Sequence, residues 1–148
     1  MIAGDSRKGV VDVLVQARVD GDHLLIRLPW RLAVAARRRT LRVSLEPVAE
    51  VRVEPSWWRA LRIGTPGRDY RFRPGRWCAG ELVHAKGRDF VALMEDAPAL
   101  VVDFYHWQSP YARLALSVGD PHGLAALLRD RVGRLSRAPV GGVGADAS

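Results

Sequence analysis

Histidine and cysteine, which often serve as bases, nucleophiles and metal ligands, are few in this sequence and widely spaced. Four histidines and one cysteine stand at His23, His84, His106, His122 and Cys78. No two of them form a close ligand pair of the His-x-x-x-His or Cys-x-x-Cys kind, so the spacing predicts no metal site. The glycines also lack the spacing of phosphate-binding loops, and we expect no nucleotide or other cofactor.

Two pairs of residues come closest to a catalytic dyad. Cys78 and His84 would act as nucleophile and base only if the chain bent between them, and no third residue is placed to orient the histidine. Asp103 and His106 are three positions apart, which puts them on opposite faces of a strand. The sequence therefore predicts no catalytic residues, and we expect that the protein is not an enzyme.

Arginine and tryptophan are the residue types that this sequence offers for binding. Of the 23 basic residues, all but two are arginine. Trp57 and Trp58 are adjacent, so at least one of them should be partly exposed, and Arg59 and Arg62 follow them closely. An aromatic side chain beside arginine can anchor a protein partner or reach a membrane interface. Alternatively, one tryptophan closes the end of the fold and the other shields a loop.

The positive charge is concentrated in one region. The formal net charge is +7, and twelve arginines stand between Arg31 and Arg76 against four acidic residues. Arg37, Arg38 and Arg39 follow one another in a predicted connection and should be exposed. Such a region can face nucleic acid or an anionic surface. It can also be a polar face that contacts only solvent. A GC-rich coding sequence by itself favours arginine over lysine, so the number of arginines need not reflect binding.

Most of the chain has the pattern of short strands. Residues 11–19 alternate apolar and polar, and Asp20-Gly21-Asp22 turns the chain into a second strand, His23 to Leu28. The strands at 40–45 and 48–54 are predicted to pair with each other. Residues 30–36 fit a strand or a short helix, and we predict a strand. Further strands are predicted at residues 69–73, 79–84, 89–94, 99–105 and 111–118.

A short helix can start at Pro55-Ser56 and run through Trp57, Trp58 and Leu61, with Ser56 as its cap. The clearest helix is predicted near the end of the chain. Asp120 is a good N-cap and Pro121 stands at the favoured first position of a helix. A stripe of apolar residues follows at helical spacing: Leu124, Leu127, Leu128, Val132 and Leu135. This helix must cover a sheet face. Residues 1–10 are predicted to be an N-terminal extension, and residues 136–148, rich in Gly, Ala and Pro, a disordered tail.

The composition also bounds the location of the protein. No segment approaches about 18 consecutive apolar residues, the length that a transmembrane helix needs. Residues 1–10 carry charges with no apolar run behind them, unlike a secretory signal. A single cysteine cannot form an internal disulfide, which is compatible with a reducing compartment. We therefore expect a cytoplasmic protein, either free or peripheral to the membrane.

The order of elements, about eight short strands and then one amphipathic helix, resembles the PH-like fold. Several local runs are similar to those of the actinobacterial PH-like domain proteins: Leu28-Pro29-Trp30-Arg31, Pro66-Gly67, Ala79-Gly80, Gly87-Arg88-Asp89-Phe90 and Asp120-Pro121. The resemblance covers residues 11–135. It implies a mainly β domain of about seven or eight antiparallel strands, in a barrel or orthogonal β-sandwich capped by one C-terminal α-helix.

The resemblance also bears on function, because PH-like domains are binding scaffolds more often than enzymes. It implies a scaffold without fixing the ligand. Relatives that bind inositol phosphates use basic residues in the loop between the first two strands. Here that loop is the acidic Asp20-Gly21-Asp22, so we do not expect phosphoinositide binding.

Three binding functions are consistent with these patterns. The first is a non-catalytic interaction or scaffold module that binds a protein or peptide partner through a strand edge or a groove between helix and sheet. The second is peripheral association with an anionic membrane through the Arg-rich residues 31–76. The third, less expected, is nucleic-acid binding by basic and aromatic residues. The candidate site residues are Arg37, Arg38, Arg39, Trp57, Trp58, Arg59 and Arg62.

Overall fold

The computed structural model describes residues 14–62, 64–105 and 109–137 of the chain. These residues form ten β-strands, two α-helices and a 3₁₀ helix, arranged in two sheets. Neither helix is long and apolar enough to cross a bilayer. The predicted extension at 1–10 lies outside the described residues, as does the predicted tail beyond its first two residues.

The first sheet has three antiparallel strands, β1 (Gln16–Asp20), β2 (His23–Arg27) and β3 (Thr40–Ser44), in the order β1-β2-β3. The predicted hairpin between β1 and β2 is confirmed, and Gly21 supplies the turn with a φ of 63°. Alternate residues of β2 and β3 enter the core: Leu24, Ile26, Leu41 and Val43. The opposite face of the sheet is open.

Between β2 and β3 the chain forms helix α1, Trp30–Ala36. The predicted strand at 30–36 is therefore wrong. The apolar residues of this segment recur at three- and four-residue spacing, so a helix collects them on one face, whereas a strand would split them between two. The residues that α1 buries are Leu32, Ala35 and Ala36.

The second sheet has seven strands: β4 (Val48–Glu54), β5 (Thr65–Pro66), β6 (Arg71–Arg73), β7 (Trp77–His84), β8 (Gly87–Met94), β9 (Ala99–Phe104) and β10 (Arg113–Leu116). Their order is β4-β9-β10-β8-β7-β5, with β6 also paired to β7. The predicted all-antiparallel arrangement is wrong at one place, because β10 runs parallel to β8. β10 lies between β8 and β9, and two reversals of the chain give it the direction of β8.

The predicted pairing of the strands at 40–45 and 48–54 is also wrong. β3 pairs with β2, whereas β4 pairs with β9 in the other sheet. The resemblance to the PH-like fold implied a barrel or an orthogonal β-sandwich, but the two sheets do not close into a barrel. Within the described part of the chain, an isolated bridge joins Val15 to Val118, and the Val15 N–H donates to the Ser117 carbonyl at 2.9 Å.

The seven-stranded sheet is apolar on both faces, as expected for strands that are covered on both sides. Its inner face packs with the first sheet and the helices in the main core, through Phe90, Ala92, Leu100, Val102, Leu114 and Leu116. Its outer face holds a smaller cluster of Cys78, Leu82, Val91, Leu93, Ala99, Val101 and Ala115. The segment that carries the 3₁₀ helix (Trp57–Ala60) covers this second cluster.

The predicted C-terminal helix is found as α2, Pro121–Arg137. Its N-cap is confirmed, because the Gly123 N–H donates to Asp120 Oδ1 at 3.1 Å. Leu128 is fully buried, but Leu127, which we predicted in the same stripe, is 46% exposed. Ala125 takes its place against the core, since it lies closer to the helix face that Leu128 defines.

Candidate functional site

A groove between α1 and β6 collects the large apolar side chains that this surface exposes. Trp30 and Val34 of α1 lie four residues apart on one helix face and are 63% and 69% exposed. Phe72 of β6 is 61% exposed. Together with Trp77 they line a cavity of about 700 Å³, which we call the basic groove. Contiguous exposed apolar surface of this kind marks binding sites.

Four arginines complete the lining of the basic groove, and no acidic residue belongs to it. They are Arg31, Arg37, Arg71 and Arg73. None of the four forms an ion pair with a carboxylate in the described ranges. The Arg31 guanidinium lies 5.4 Å from the centre of the Trp30 ring. The groove therefore combines aromatic surface with uncompensated positive charge.

A second cavity, which we call the apolar pocket, lies over the outer face of β7 and β8. It has a volume of about 540 Å³, with a floor that includes Leu82 and Leu93. Trp57, Leu61 and Tyr70 stand around it. Its size and its mainly hydrophobic lining are typical of sites for small ligands or single anchor side chains.

Cys78 lies in the floor of the apolar pocket, where it hydrogen-bonds with Tyr70. Burial raises the pKa of the Cys78 thiol to about 11, although the hydrogen bond from Tyr70 acts in the opposite direction. A thiol held in the protonated form is a poor nucleophile. This cysteine therefore contributes apolar surface and not reactivity to the pocket.

Glycine at position 80 lets the wall of the pocket approach the sheet. Gly80 has a φ of 129°, and a Cβ there would lie 2.5 Å from the Cα of Tyr70. The Gly67 N–H donates to the Glu81 carbonyl at 2.7 Å in the same region. The segment before β6 is thus seated directly on the backbone of β7, which fixes where Tyr70 and Phe72 stand.

Arg62 is one of the predicted surface-binding residues, and the structure places it in a buried ion pair. Its guanidinium donates to both oxygens of Asp89, from Nε at 2.9 Å and from Nη2 at 2.5 Å. His84 Nε2 lies 2.7 Å from the same carboxylate, and the Asp89 side chain is 1% exposed. Arg62 therefore ties the covering segment to β8.

A second ion pair of the same type lies on the outer face nearby. Arg113 donates from Nε to Asp103 Oδ1 at 2.5 Å, and Arg52 donates from Nη1 to Oδ2 at 2.7 Å. Burial by itself raises the pKa of Asp103, but the hydrogen bonds from these two arginines outweigh it and hold the pKa below its ordinary value. Arg113 also donates to the Ala60 carbonyl at 3.1 Å, which holds the 3₁₀ helix.

The three consecutive arginines are exposed, as predicted, but they have different surroundings. Arg37 ends α1 with a left-handed φ of 55° and lines the basic groove. Arg38 donates to the Tyr111 hydroxyl at 2.9 Å, and this hydroxyl donates to Glu81 at 2.8 Å. Burial and the bond to Glu81 raise the pKa of Tyr111 to about 12. Arg38 is thus a packing contact, whereas Arg37 belongs to the groove.

The adjacent tryptophans divide as the sequence predicted, with one of them exposed. Trp57 is half-buried and lines the apolar pocket. Trp58 is 58% exposed, and the Arg59 guanidinium lies 5.2 Å from the centre of its ring. Neither Trp58 nor Arg59 lines the groove or the pocket. The predicted site residues are therefore not brought together at one place.

The groove residues that sequence reasoning missed are those of α1 and β6. Trp30 and Val34 stand four apart, and the strand prediction hid this spacing. Read as a helix, the segment places both on the face opposite its buried residues, which is a detectable signal. Arg71 and Arg73 alternate with Phe72 in β6, as the predicted strand at 69–73 requires, but the sequence pattern does not show that this strand lies beside α1.

The structure separates the residues that we weighed as catalytic dyads. Cys78 contacts Tyr70, whereas His84 contacts Asp89. Asp103 is bound by two arginines, and His106 lies outside the described residues. No group of three metal-ligating side chains occurs in the described ranges.

A second basic surface lies on the open face of the three-stranded sheet. Arg18 is opposite Leu25, and Leu25 is opposite Arg42, with Arg27 two residues further along β2. All three arginines are exposed. They surround one half-buried leucine and no large aromatic side chain, so this face offers charge without the apolar surface of the groove.

Comparison with known proteins finds no matching family model, no similar curated protein and no similar solved structure. Function is therefore argued from the chemistry of the groove and the pocket.

Proposed function

We propose that this protein is a non-catalytic interaction module that binds an acidic segment of a protein partner in the basic groove. The carrying observation is that Trp30, Val34 and Phe72 are exposed around one cavity. This cavity is also lined by four arginines that have no carboxylate partner within residues 14–62, 64–105 and 109–137. Tryptophan and arginine are the residue types most enriched among the hot spots of protein interfaces. Arginine without a carboxylate partner can donate to the carboxylates of a ligand, and Arg71 in addition donates from Nη1 to the Tyr70 carbonyl at 3.0 Å.

The position of β6 also supports a peptide ligand. β6 pairs with β7 on one side, and within the described residues no strand pairs with its other side. All three of its residues are exposed. An extended segment can therefore lie along β6 and reach the side chains of the groove, in the way that peptides add to sheet edges.

The PH-like resemblance is part of this proposal and accounts for the scaffold. It is supported by the strand-rich chain and by the single helix that closes it, α2. The open sheets and the parallel pair of β8 and β10 depart from the expected arrangement. A cytoplasmic location also belongs to the proposal, since Cys78 is a buried free thiol.

Selection of random peptides displayed on phage tests the proposal. The immobilised protein should enrich peptides rich in Asp and Glu. The double variant Arg71→Glu/Arg73→Glu should fail to retain them, because it reverses the charge of the groove at two exposed positions. The double variant Arg18→Glu/Arg27→Glu makes the same change of net charge on the three-stranded sheet and should retain them.

Two results would overturn the proposal. One is the absence of any enriched acidic sequence with the native protein. The other is equal loss in both double variants, which would mean that the overall charge attracts the peptides and that the groove has no special role.

A second candidate function is association with an anionic membrane surface. It is favoured by the exposure of Trp30 and Phe72, which are residue types that enter the interfacial region of a bilayer, beside arginines that attract acidic lipids. Phosphatidylserine vesicles test it by co-sedimentation. Retention of the native protein and loss of the Trp30→Ala variant, with no enrichment of acidic peptides, would replace the first proposal with this one.

A further inference from the structure

We infer that the partner segment carries one aromatic or large aliphatic anchor residue beside its acidic run, with the anchor in the apolar pocket and the acidic side chains in the basic groove. This inference rests on the proposed function and specifies the ligand. It joins two cavities that the structure forms on either side of β6.

The two cavities are adjacent, because three residues line both of them. Phe72, Arg73 and Trp77 line both of them. Phe72 and Arg73 belong to β6, and Arg73 is paired in register with Trp77 of β7. A ligand that crosses this short strand therefore passes directly from one cavity into the other.

The chemistry of the apolar pocket selects an apolar side chain. The floor is formed by the outer face of the sheet, including Leu82 and Leu93, and aromatic rings stand around it. Tyr70 and Cys78 hydrogen-bond with each other within this lining. A hydrocarbon or aromatic side chain gains by entering such a site, whereas a charged one loses hydration.

The charges around the two cavities give the ligand a direction. Glu95 and Arg73 both line the apolar pocket, so one negative and one positive charge stand there, whereas four arginines and no acidic residue line the basic groove. Acidic ligand residues are therefore attracted to the groove side of the anchor more strongly than to its pocket side. The motif should have its acidic residues on the groove side of the anchor.

Three short fluorescein-labelled peptides test the inference by fluorescence anisotropy. The first carries an acidic run of Glu and Gly, the second adds one Phe at an end of that run, and the third has acidic residues on both sides of the Phe. The second peptide is made with the Phe at either end, and the better of the two is used. It should bind roughly tenfold more tightly than the first, as burial of one aromatic side chain allows. It should also bind more tightly than the third.

The adjacent tryptophans supply matched protein variants. Trp57→Ala removes a wall of the apolar pocket and should abolish the gain from Phe while leaving the acidic peptide bound as before. Trp58→Ala removes a neighbouring tryptophan that does not line the pocket and should leave both affinities unchanged. Retained binding of the acidic peptide also shows that the Trp57→Ala protein is folded.

The outcomes separate this inference from the proposed function. Equal binding of the acidic peptide with and without Phe, at either end, overturns the anchor and leaves the acidic-segment proposal standing. This comparison needs no protein variant, so it holds even if Trp57→Ala does not fold. Failure of every acidic peptide to bind overturns the proposed function together with the anchor.

Discussion

Two aspartates on the outer face of the seven-stranded sheet lie beneath the segment that carries the 3₁₀ helix and forms a wall of the apolar pocket. Each carboxylate contacts two basic side chains. Asp89 is held by Arg62 and His84, and Asp103 by Arg113 and Arg52. A charge taken out of water is tolerated where such partners replace its hydration, and the loss of one partner removes part of that compensation. These contacts therefore position the binding surface without touching a ligand.

Asp103→Asn should lower the free energy of unfolding at neutral pH by about 3 kcal/mol, because it removes the carboxylate that pairs with the buried Arg113, whereas Arg52 keeps its ion pairs with Glu50 and Glu54. The native pKa of Asp103 is lowered, so its carboxylate stabilises the fold above the unfolded pKa of about 4, and this contribution is lost as the pH falls through the native pKa. Urea unfolding at a series of pH values below about 4 should therefore show a shallower loss of stability in the variant. Parallel curves for the two proteins would contradict this role.

For single residues, the sequence predicts which side chains are exposed better than it predicts which residues they contact. The exposure of Arg37, Arg38 and Arg39 follows from three charges in a row, and the structure has it. The role of Arg62 could not be predicted, because its partner Asp89 is distant in sequence. The two residues become neighbours only when the segment that carries the 3₁₀ helix packs on the outer face of the seven-stranded sheet. Long-range ion pairs leave no periodic signal in a sequence.

Among the elements, α1 and α2 show how far periodicity reaches. α2 was predicted because seventeen residues give a long apolar pattern and a clear N-cap. α1 has seven residues, and over so short a segment an apolar run fits a strand or a helix equally well. The same misassignment hid Trp30 and Val34, so the error in an element became an error in the site.

Leu128→Asp should unfold the domain or cost at least about 4 kcal/mol, since it places a charge in the main core. Leu127→Asp is the matched control on the adjacent position, where the side chain is exposed, and it should change stability by less than about 0.5 kcal/mol. Thermal unfolding followed by circular dichroism distinguishes the two. Similar melting temperatures for both variants would mean that α2 does not pack as described.

For the whole molecule, the strands were predictable where their partners are close in sequence. The hairpins of β1 with β2 and of β7 with β8 join neighbouring segments through short turns. The pairing of β4 with β9, and the division of β3 and β4 between two sheets, depend on contacts across the chain. Alternating strands fit several such arrangements, so topology could not be derived from their pattern.

Hydrogen exchange should separate the two layers that cover the seven-stranded sheet. The segment that covers the outer face carries a 3₁₀ helix and leads into the short strands β5 and β6, which pair with β7 at the edge of the sheet, so this region can open locally without disturbing the main core. The amides of β6 should exchange at least about tenfold faster than those of β8 and β10. Mass spectrometry after deuterium labelling measures this, and equal protection would show that the outer layer opens only with the whole domain.

The placement of β10 between β8 and β9 has a consequence for biosynthesis. β8 and β9 are consecutive in the chain but cannot pair with each other, since each of them pairs with β10. Until β10 leaves the ribosome, both present unpaired edges with strongly apolar side chains, such as Phe90 and Val101. Because non-local strand pairing is slow, the nascent chain passes through a state that is prone to aggregation. We therefore expect the yield of folded protein in the cell to depend on chaperones that bind the unpaired edges of β8 and β9 during synthesis.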